Sequence, residues 1–561
     1  MAKKGSILSK ISFLFKLLSN KRILAVLAES KMRNIVLALK SGSFLLYNLR
    51  KHPDKLAIID GEKRITYREL SERISRFNGG LLSLGLSAGD RIAIIARNSA
   101  EFLETTLGPG FIGVRTIPVN WHLKEDEIEY VLNNSEASAL VVSEQFLDSI
   151  IAIRSRLHYA RHIIVIGDNV PDDMISYEEF VTDSSPCRKR GVSGGGLMIY
   201  TSGTTGKPKG ASSRALQDIS ILSPDDLADL LLLTSNVFFG FNWDKTTNIH
   251  LVAAPLYHAS PILHAGLTLY FSGTVVVMDK FDSVKALQLI ENEKISTTFM
   301  PPILLRRLMY SPEKDQYDVS SMKSLVCAAA PCPTELKKDI LQYFGPVFYE
   351  FYGSSDGAIN TILKPEHYIN DPDKLRSVGK ITEANKIIIV DEDNVELPPN
   401  RPGDLLVSNA MVKYLDYYKE PEKTRNAFLQ IGGEKYFKEG EVAYLDEDQF
   451  CYIADRKKDM IISGGVNIYP AEIEEVLLLH HSVLDAAVIG IPDEDWGESI
   501  KAFVVLREGT EPNEEEIISY CGEKLAGYKK PKSVDFVHEL PRHPTGKILK
   551  RILREKYLQS G

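Results

Sequence analysis

From about residue 190 onward, short apolar runs recur with helical stretches between them, and no other feature of the chain constrains the fold as much. Leu197–Tyr200, Leu251–Pro255, Thr274–Met278, Thr297–Met300 and Ser324–Ala328 read as strands buried on both faces. Ser283–Lys294 and Pro333–Phe344 read as helices between them, with Pro333 expected at a helix start, where its missing N–H costs nothing. Strand and helix in alternation predict an α/β body built on parallel or mixed sheets with flanking helices.

A chain of 561 residues is too long for one ordinary domain. The last hundred residues read as a separate small α+β unit. In it Ala486–Ile491 and Ala502–Leu506 are strands, and Pro470–Leu479 is a helix with Glu472, Glu474 and Glu475 in its first turns, where the helix dipole favours acids. The charge run Asp455–Asp459 marks the boundary. The expected division is residues 1–50, 51–456 and 457–561.

The first segment differs in charge. Residues 1–51 hold eleven Lys/Arg and a single acid, Glu29, whereas the whole chain carries a net charge of −8. Ile7, Leu8, Ile11, Leu14, Phe15 and Leu18 recur at helical spacing with Lys10 and Lys16 between them. No apolar run there reaches the roughly 20 residues that span a bilayer, and the lysines interrupt any signal-peptide core. Two readings fit: a basic amphipathic helix lying on an anionic membrane through residues 1–45, or a helix packed on the protein's own body. The five cysteines (Cys187, Cys327, Cys332, Cys451, Cys521) show no metal-ligand spacing and fit a reducing compartment, hence a cytoplasmic protein, peripheral on the inner membrane face if the first reading holds. Nucleic acid is not expected as a partner, because the basic run is apolar and helical rather than interleaved with aromatics.

The stretch Tyr200–Gly210, "YTSGTTGKPKG", follows one of the predicted strands. Its glycines let backbone approach a ligand closely, its hydroxyls and N–H groups are donors, and its lysines add charge, which together suit a polyphosphate. It is not a Walker A loop, because Lys207 is followed by Pro208. Taken alone it also reads as a flexible surface loop.

Six further segments follow in order: "PLYH" at 255–258, "AAAP" at 328–331, "YGSSD" at 352–356, "EGE" at 439–441, "DRKKDMIISGGVNIYPAEIEE" at 455–475 and "PTGKILKR" at 544–551. With "TSGTTGKPKG" they resemble the ordered motifs of the adenylate-forming superfamily, and the body of the chain is similar to bacterial fatty-acid–CoA ligases. The resemblance implies a large adenylation domain, a small mobile C-terminal domain, and a reaction in two halves. A carboxylate first takes AMP from ATP, and a thiol then displaces AMP. ATP, Mg²⁺ and CoA are the implied cofactors, a fatty acid the implied substrate, and a homodimer a further expectation.

Residue by residue, the resemblance places Thr201, Ser202, Gly203, Thr204, Thr205, Gly206 and Lys207 around the β- and γ-phosphates, and Ser355 at the α-phosphate. Asp356, with Thr201, would hold Mg²⁺. Tyr352 and Gly353 would lie against adenine, in a slot shaped by Ala329, Ala330 and Pro331. Glu441 and Arg456 would take the ribose. Lys547 would put positive charge on the α-phosphate and the attacking carboxylate. Lys458 matches the hinge, and Gly464 and Gly465 match the loop that faces CoA. His258 would line the carboxylate end of the acyl pocket, with Phe239, Trp243 and Phe299 along its tail. A structural histidine and an ordinary apolar core are the competing readings for these last four.

Three positions depart from the superfamily pattern. Asp356 stands where Glu is usual, Glu441 where Asp is usual, and Glu439 adds a carboxylate near the nucleotide. These departures keep open a catalytically impaired member that binds acyl chains or nucleotide, and, apart from them, an adenylate former that loads a separate carrier protein is the other alternative to the CoA ligase. A bile, steroid or aryl acid is the alternative substrate.

Overall fold

The computed structural model describes residues 52–187, 195–201, 208–214, 221–223, 225–230, 248–354, 356–456, 459–464, 466–493, 495–542 and 547–560. Expectations that fall on residues 1–51, 202–207, 231–247, 355, 457–458, 465 and 543–546 lie outside them. These include the amphipathic head, most of the phosphate loop, Phe239, Trp243, Ser355, Lys458 and Gly465.

Two sheets form the large body. The first has nine strands, and its centre runs Phe348–Ser354, Ser324–Cys327, Thr297–Phe299, Ile249–Val252, Thr274–Val277, Leu56–Asp60, every neighbouring pair parallel. Antiparallel strands close both edges. The second sheet has six strands, all parallel, with Arg91–Ile95 between Ala139–Ser143 and Arg115–Pro118. Alternate residues of each strand enter different cores, as the two-residue period of a strand requires. Val275 and Val277 face the layer between the two sheets while Val276 faces the core on the other side of its sheet, and Ile92 and Ile94 face that layer while Ala93 and Ile95 face a third core. Helices Ala259–Tyr270, Tyr67–Ser83 and Ala100–Leu107 fill the layer with Ile262, Ala265, Leu269, Phe77 and Phe102. Both faces of these strands are thus covered, which is why their sequences are apolar without alternation.

The predicted strands and helices are present with shifted ends. Helix Ser283–Asn292 stops two residues before Lys294. The strand at 251 begins at Ile249 and ends at Val252, before Pro255. Pro333 is the N-cap and the helix starts at Thr334. One prediction merges two strands: Gly196–Leu197 pairs with Arg115–Pro118, while Ile199–Thr201 belongs to a separate three-stranded sheet with Lys209–Ser213 and Leu415–Tyr417. The chain crosses from one sheet to another at Met198.

An antiparallel sheet of five strands follows (Lys386–Val390, Gly403–Ser408, Phe428–Ile431, Glu434–Leu445, Cys451–Arg456). Beyond it the long hairpin Val483–Asp493 and Gly497–Leu506 carries its own two cores. Ala486 and Val488 pack under helices Pro470–Leu478 and Glu514–Lys524, and Ala487, Ile489 and Ile491 pack with Leu553 of the last helix. Every buried residue of those two cores lies at or after Ile461.

Candidate active site

Parallel strands bring their C-terminal ends to one edge of the sheet, where ligands of open α/β folds bind. Here Val252 leads into Pro255–His258, Cys327 into Ala328–Pro331, and Ser354 into Ser355 and Asp356. Three motifs separated in sequence therefore lie along one edge. Ala329 has φ +80°, a left-handed conformation that allows the sharp turn after the strand. Ala328 is buried, Ala329 and Ala330 half-buried, and Pro331 exposed.

At the next strand, Gly353 sits at a register shift opposite Ala358 and Ile359, and a Cβ there would lie 2.0 Å from the Ala358 carbonyl oxygen. Only glycine fits. Tyr352, just before it, is half-buried against the core of Ile387, Ile389 and Leu405. Gly357 N–H donates to the Ser354 hydroxyl at 2.6 Å and closes the turn that carries Asp356.

Strands Ile199–Thr201 and Lys209–Ser213 form an antiparallel pair, with Thr201 opposite Lys209 and Tyr200 opposite Gly210. The phosphate loop is thus the connection of a hairpin whose two ends are anchored. Tyr200 Oη donates to Asn134 Oδ1 at 2.6 Å, and Tyr130 Oη to the Pro208 carbonyl at 3.3 Å. The third strand of this sheet supplies Tyr417, whose Oη donates to Asp356 Oδ2 at 2.7 Å and whose ring lies 4.9 Å from the Lys209 ammonium. One tyrosine therefore ties Asp356 to the base of the phosphate hairpin. Asp356 Oδ1 is buried and has no hydrogen-bond partner among the described residues. Burial raises the Asp356 carboxyl above the usual range, and the Tyr417 hydroxyl and the Lys209 charge offset this in part. A buried carboxylate oxygen left open among the described residues, beside the hairpin that carries the Tyr200–Gly210 motif, fits a hard cation such as Mg²⁺.

Glu441 stands directly opposite Arg456 in the antiparallel pair Glu434–Leu445 and Cys451–Arg456, which puts the two ribose candidates at one register position. Glu439 turns toward the Asp356 turn. Its Oε1 accepts from Asn360 Nδ2 at 2.9 Å and lies 2.0 Å from where a Cβ on Gly357 would be. Burial pushes its carboxyl up to about 7, opposed by hydrogen bonds from Asn360 and Ser354 and reinforced by the charges of Asp356 and Glu441. Part of the extra negative charge expected at this position is therefore neutralised.

His258 is the N-cap residue of helix Ala259–Tyr270, half-buried, its ring 4.3 Å from that of Tyr257. Tyr257 Oη lies 3.2 Å from His122 Nδ1, and His122 stacks on Trp121. Phe299 is buried in the main core, stacked at 5.1 Å on His264 and 6.2 Å from Phe351.

Lys547 is half-buried just before the last helix. That helix is held by Lys550, whose ammonium is 2.8 Å from Glu474 Oε1, and by Arg554, 3.0 Å from Asp459. Gly464 has φ +58°, and a Cβ on it would lie 2.7 Å from Cε3 of Trp496. Its N–H donates to the Trp496 carbonyl at 2.8 Å. The small domain docks on the large one through Arg306, which donates to the Leu484 carbonyl at 2.7 Å and pairs with Asp485 at 3.2 Å. Thr334, three residues after Pro331, donates to Glu475 at 3.1 Å. Tyr417, Lys209 and Trp496 are absent from the sequence-based site. Tyr417 has no local signal, since its partner is 61 residues away. Lys209 stands inside the phosphate-loop motif, and its role emerges only with the third strand.

The family of AMP-binding enzymes matches residues 46–414, and the AMP-binding enzyme C-terminal domain matches residues 472–547. This chain belongs to that family. A feruloyl-CoA synthase of Amycolatopsis sp is 32% identical over 524 residues, covering 92% of this chain and 99% of that one. The long-chain-fatty-acid–CoA ligase FadD13 of Mycobacterium tuberculosis is 30% identical, covering 88% and 93%. The crystal structure of ATP-bound MatB from Rhodopseudomonas palustris superposes with a TM-score of 0.77 at 29% identity, covering 92% and 98%. The protein is an adenylate-forming enzyme of the acyl-CoA ligase type, with the α/β body and smaller C-terminal domain expected of it. No helix among the described residues is long and apolar enough to cross a membrane.

Proposed function

We propose that this AMP-binding enzyme activates a medium- or long-chain fatty acid with ATP and passes the acyl group to CoA. The observation that carries the reading is Asp356, with a buried, open carboxylate oxygen, tied by Tyr417 to the hairpin that bears the phosphate loop. Mg²⁺ bound there would neutralise charge that develops on the departing pyrophosphate. The substrate carboxylate oxygen attacks the α-phosphorus, the bond from that phosphorus to the bridging oxygen of the β-phosphate breaks, and pyrophosphate leaves. Lys547 stabilises the negative charge gathered between the two reactants and holds them together. In the second half the CoA sulfur attacks the acyl carbon, the acyl–oxygen bond breaks, AMP leaves and the thiol proton is released. The loop at Gly464 faces the pantetheine in that half, and the missing Cβ lets the Trp496 ring pack against it. Glu441 and Arg456 hold the ribose, Tyr352 and Ala329–Pro331 the adenine, and His258 the carboxylate end of the acyl site.

The test is pyrophosphate release from Mg·ATP with a panel of fatty, aryl and steroid acids, with and without CoA, on wild type and Lys547→Ala. The reading expects release that depends on a fatty acid, acyl-CoA when CoA is present, and a large loss in Lys547→Ala. Turnover with aryl acids alone would overturn the substrate class, trapped adenylate with no transfer to CoA would overturn the acceptor, and no release with any acid would overturn the activity. The amphipathic head would place the enzyme on membranes that hold its substrate. Deletion of residues 1–45 is expected to abolish co-sedimentation with anionic vesicles, and unchanged sedimentation would refute it.

A further inference from the structure

Three side chains of the small domain converge away from the nucleotide site. Helix Pro470–Leu478 ends at Leu479, and the turn that follows carries His480 and His481. Glu516 belongs to the first turn of helix Glu514–Lys524. One ligand atom from each of His480, His481 and Glu516 lies within 4.8 Å of the other two. His480 is buried, while His481 and Glu516 are exposed.

Two of the ligands, Glu516 and His480, are held from behind. Glu516 Oε2 accepts from Asn513 Nδ2 at 3.1 Å, and its Oε1 faces His480 Nε2 at 3.4 Å. On the other side of the imidazole, His480 Nδ1 lies 2.8 Å from the Ser482 hydroxyl, and the ring meets Tyr520 edge-on at 4.8 Å. The Ser482 N–H donates to Nδ1 at 3.3 Å, so without an ion Nε2 carries the proton that faces Glu516; an ion at Nε2 takes the other tautomer, in which Nδ1–H donates to the Ser482 hydroxyl.

The separation itself is informative. At 3.4 Å the His480–Glu516 contact is longer than an ordinary hydrogen bond. Two ligands about 2.0–2.1 Å from a tetrahedral ion stand roughly 3.3–3.4 Å apart. Two imidazoles and a carboxylate are a borderline donor set, suited to Zn²⁺ or Co²⁺ rather than to Mg²⁺ or Ca²⁺.

We propose that His480, His481 and Glu516 form a binding site for a divalent transition cation of the zinc class, separate from the Mg·ATP site. The turn that holds it runs into Leu484 and Asp485, the residues that grip Arg306 of the large domain. His480 and His481 also line a cavity of about 400 Å³ between the two domains, opposite Glu335 and Asp339. An ion here stiffens the segment by which the small domain docks.

The experiment uses the full chain without an affinity tag and without nucleotide. Zn²⁺ and Co²⁺ are titrated by calorimetry, and Co²⁺ is also followed by its visible absorption. One ion per chain is expected at this site. Affinity should fall by about a hundredfold in His481→Ala and in Glu516→Gln and stay unchanged in His158→Ala, a surface histidine elsewhere. Both ligand substitutions are at exposed positions, so the fold is expected to survive them, and Zn²⁺ should raise the melting temperature of wild type but not of either variant. Equal affinity in wild type and both variants, or an equal loss in His158→Ala, would overturn the site.

Discussion

Tyr417→Phe tests the central claim about the nucleotide site with the smallest possible change. The ring stays, so its packing and its contact with the Lys209 ammonium are retained, and only the hydroxyl that donates to Asp356 at 2.7 Å is lost. A hydrogen bond to a carboxylate is worth about 1.5–3 kcal/mol. At about 1.4 kcal/mol per tenfold, that is a loss of roughly ten- to a hundredfold in kcat/KM for Mg·ATP. The sign with pH follows from the same contact. Burial already raises the Asp356 carboxyl, and the Tyr417 hydroxyl lowers it, so its removal raises the carboxyl further. Protons then compete better with Mg²⁺, and the defect should deepen as pH falls and shrink as pH rises. The assay is pyrophosphate release at limiting Mg·ATP over a pH series, with the melting temperature measured in parallel. Activity within twofold of wild type across the series would refute the argument that this tyrosine positions the carboxylate proposed to bind Mg²⁺.

Three further outcomes are expected. In Glu439→Gln the stability profile changes: the folded carboxyl is pushed up to about 7 against an ordinary value near 4.5, so wild type binds the proton more tightly when folded and loses stability as pH rises from about 4.5 to about 7. The variant should lack that loss, at most about 3 kcal/mol, in urea denaturation at several pH values. Ala329→Gly relieves a φ of +80° and should stabilise the large domain by about 0.5–1 kcal/mol, read from the denaturation midpoint. Trp496→Ala removes the ring beneath Gly464 and should leave adenylate formation nearly intact while slowing transfer to CoA by about tenfold or more, which single-turnover kinetics of the two halves will separate.

The sequence made the parallel strands legible because burial on both faces removes polar residues from them. Val275, Val276 and Val277 face opposite cores, and all three must be apolar. Element ends were less legible where a local rule competes with context. Pro333 suits a first helical position, yet it stands one residue earlier as the N-cap, with φ −57° and ψ 139°. The break at Met198 had no local signal, because Leu197 and Ile199 differ in their partner strands and not in their chemistry. The same holds for the site. Glycine-rich and charged motifs mark the loops, but the contacts that orient them come from distant segments: Tyr417 on Asp356, Trp496 on Gly464, Asn360 on Glu439.

Those long-range contacts also bear on the acidic departures. The charges of Asp356 and Glu441 both reach Glu439 and raise its carboxyl. If all three were ionised in a half-buried site, each would pay for desolvation and for repulsion by its neighbours. The structure divides them instead. Glu439 is engaged by Asn360 and packs on the backbone of Gly357, and its raised pKa leaves it partly protonated near neutrality. Asp356 keeps one oxygen on Tyr417 and the other without a hydrogen-bond partner among the described residues, and Glu441 stands opposite Arg456. The carboxylate that is extra by sequence is thus the one engaged at the Gly357 turn, while Asp356 and Glu441 stand at the positions that the proposed reaction assigns to metal and ribose. The departures, read this way, argue for a remodelled active site rather than a lost one, and Glu439→Gln should then retain pyrophosphate release, while loss of Asp356 should abolish it.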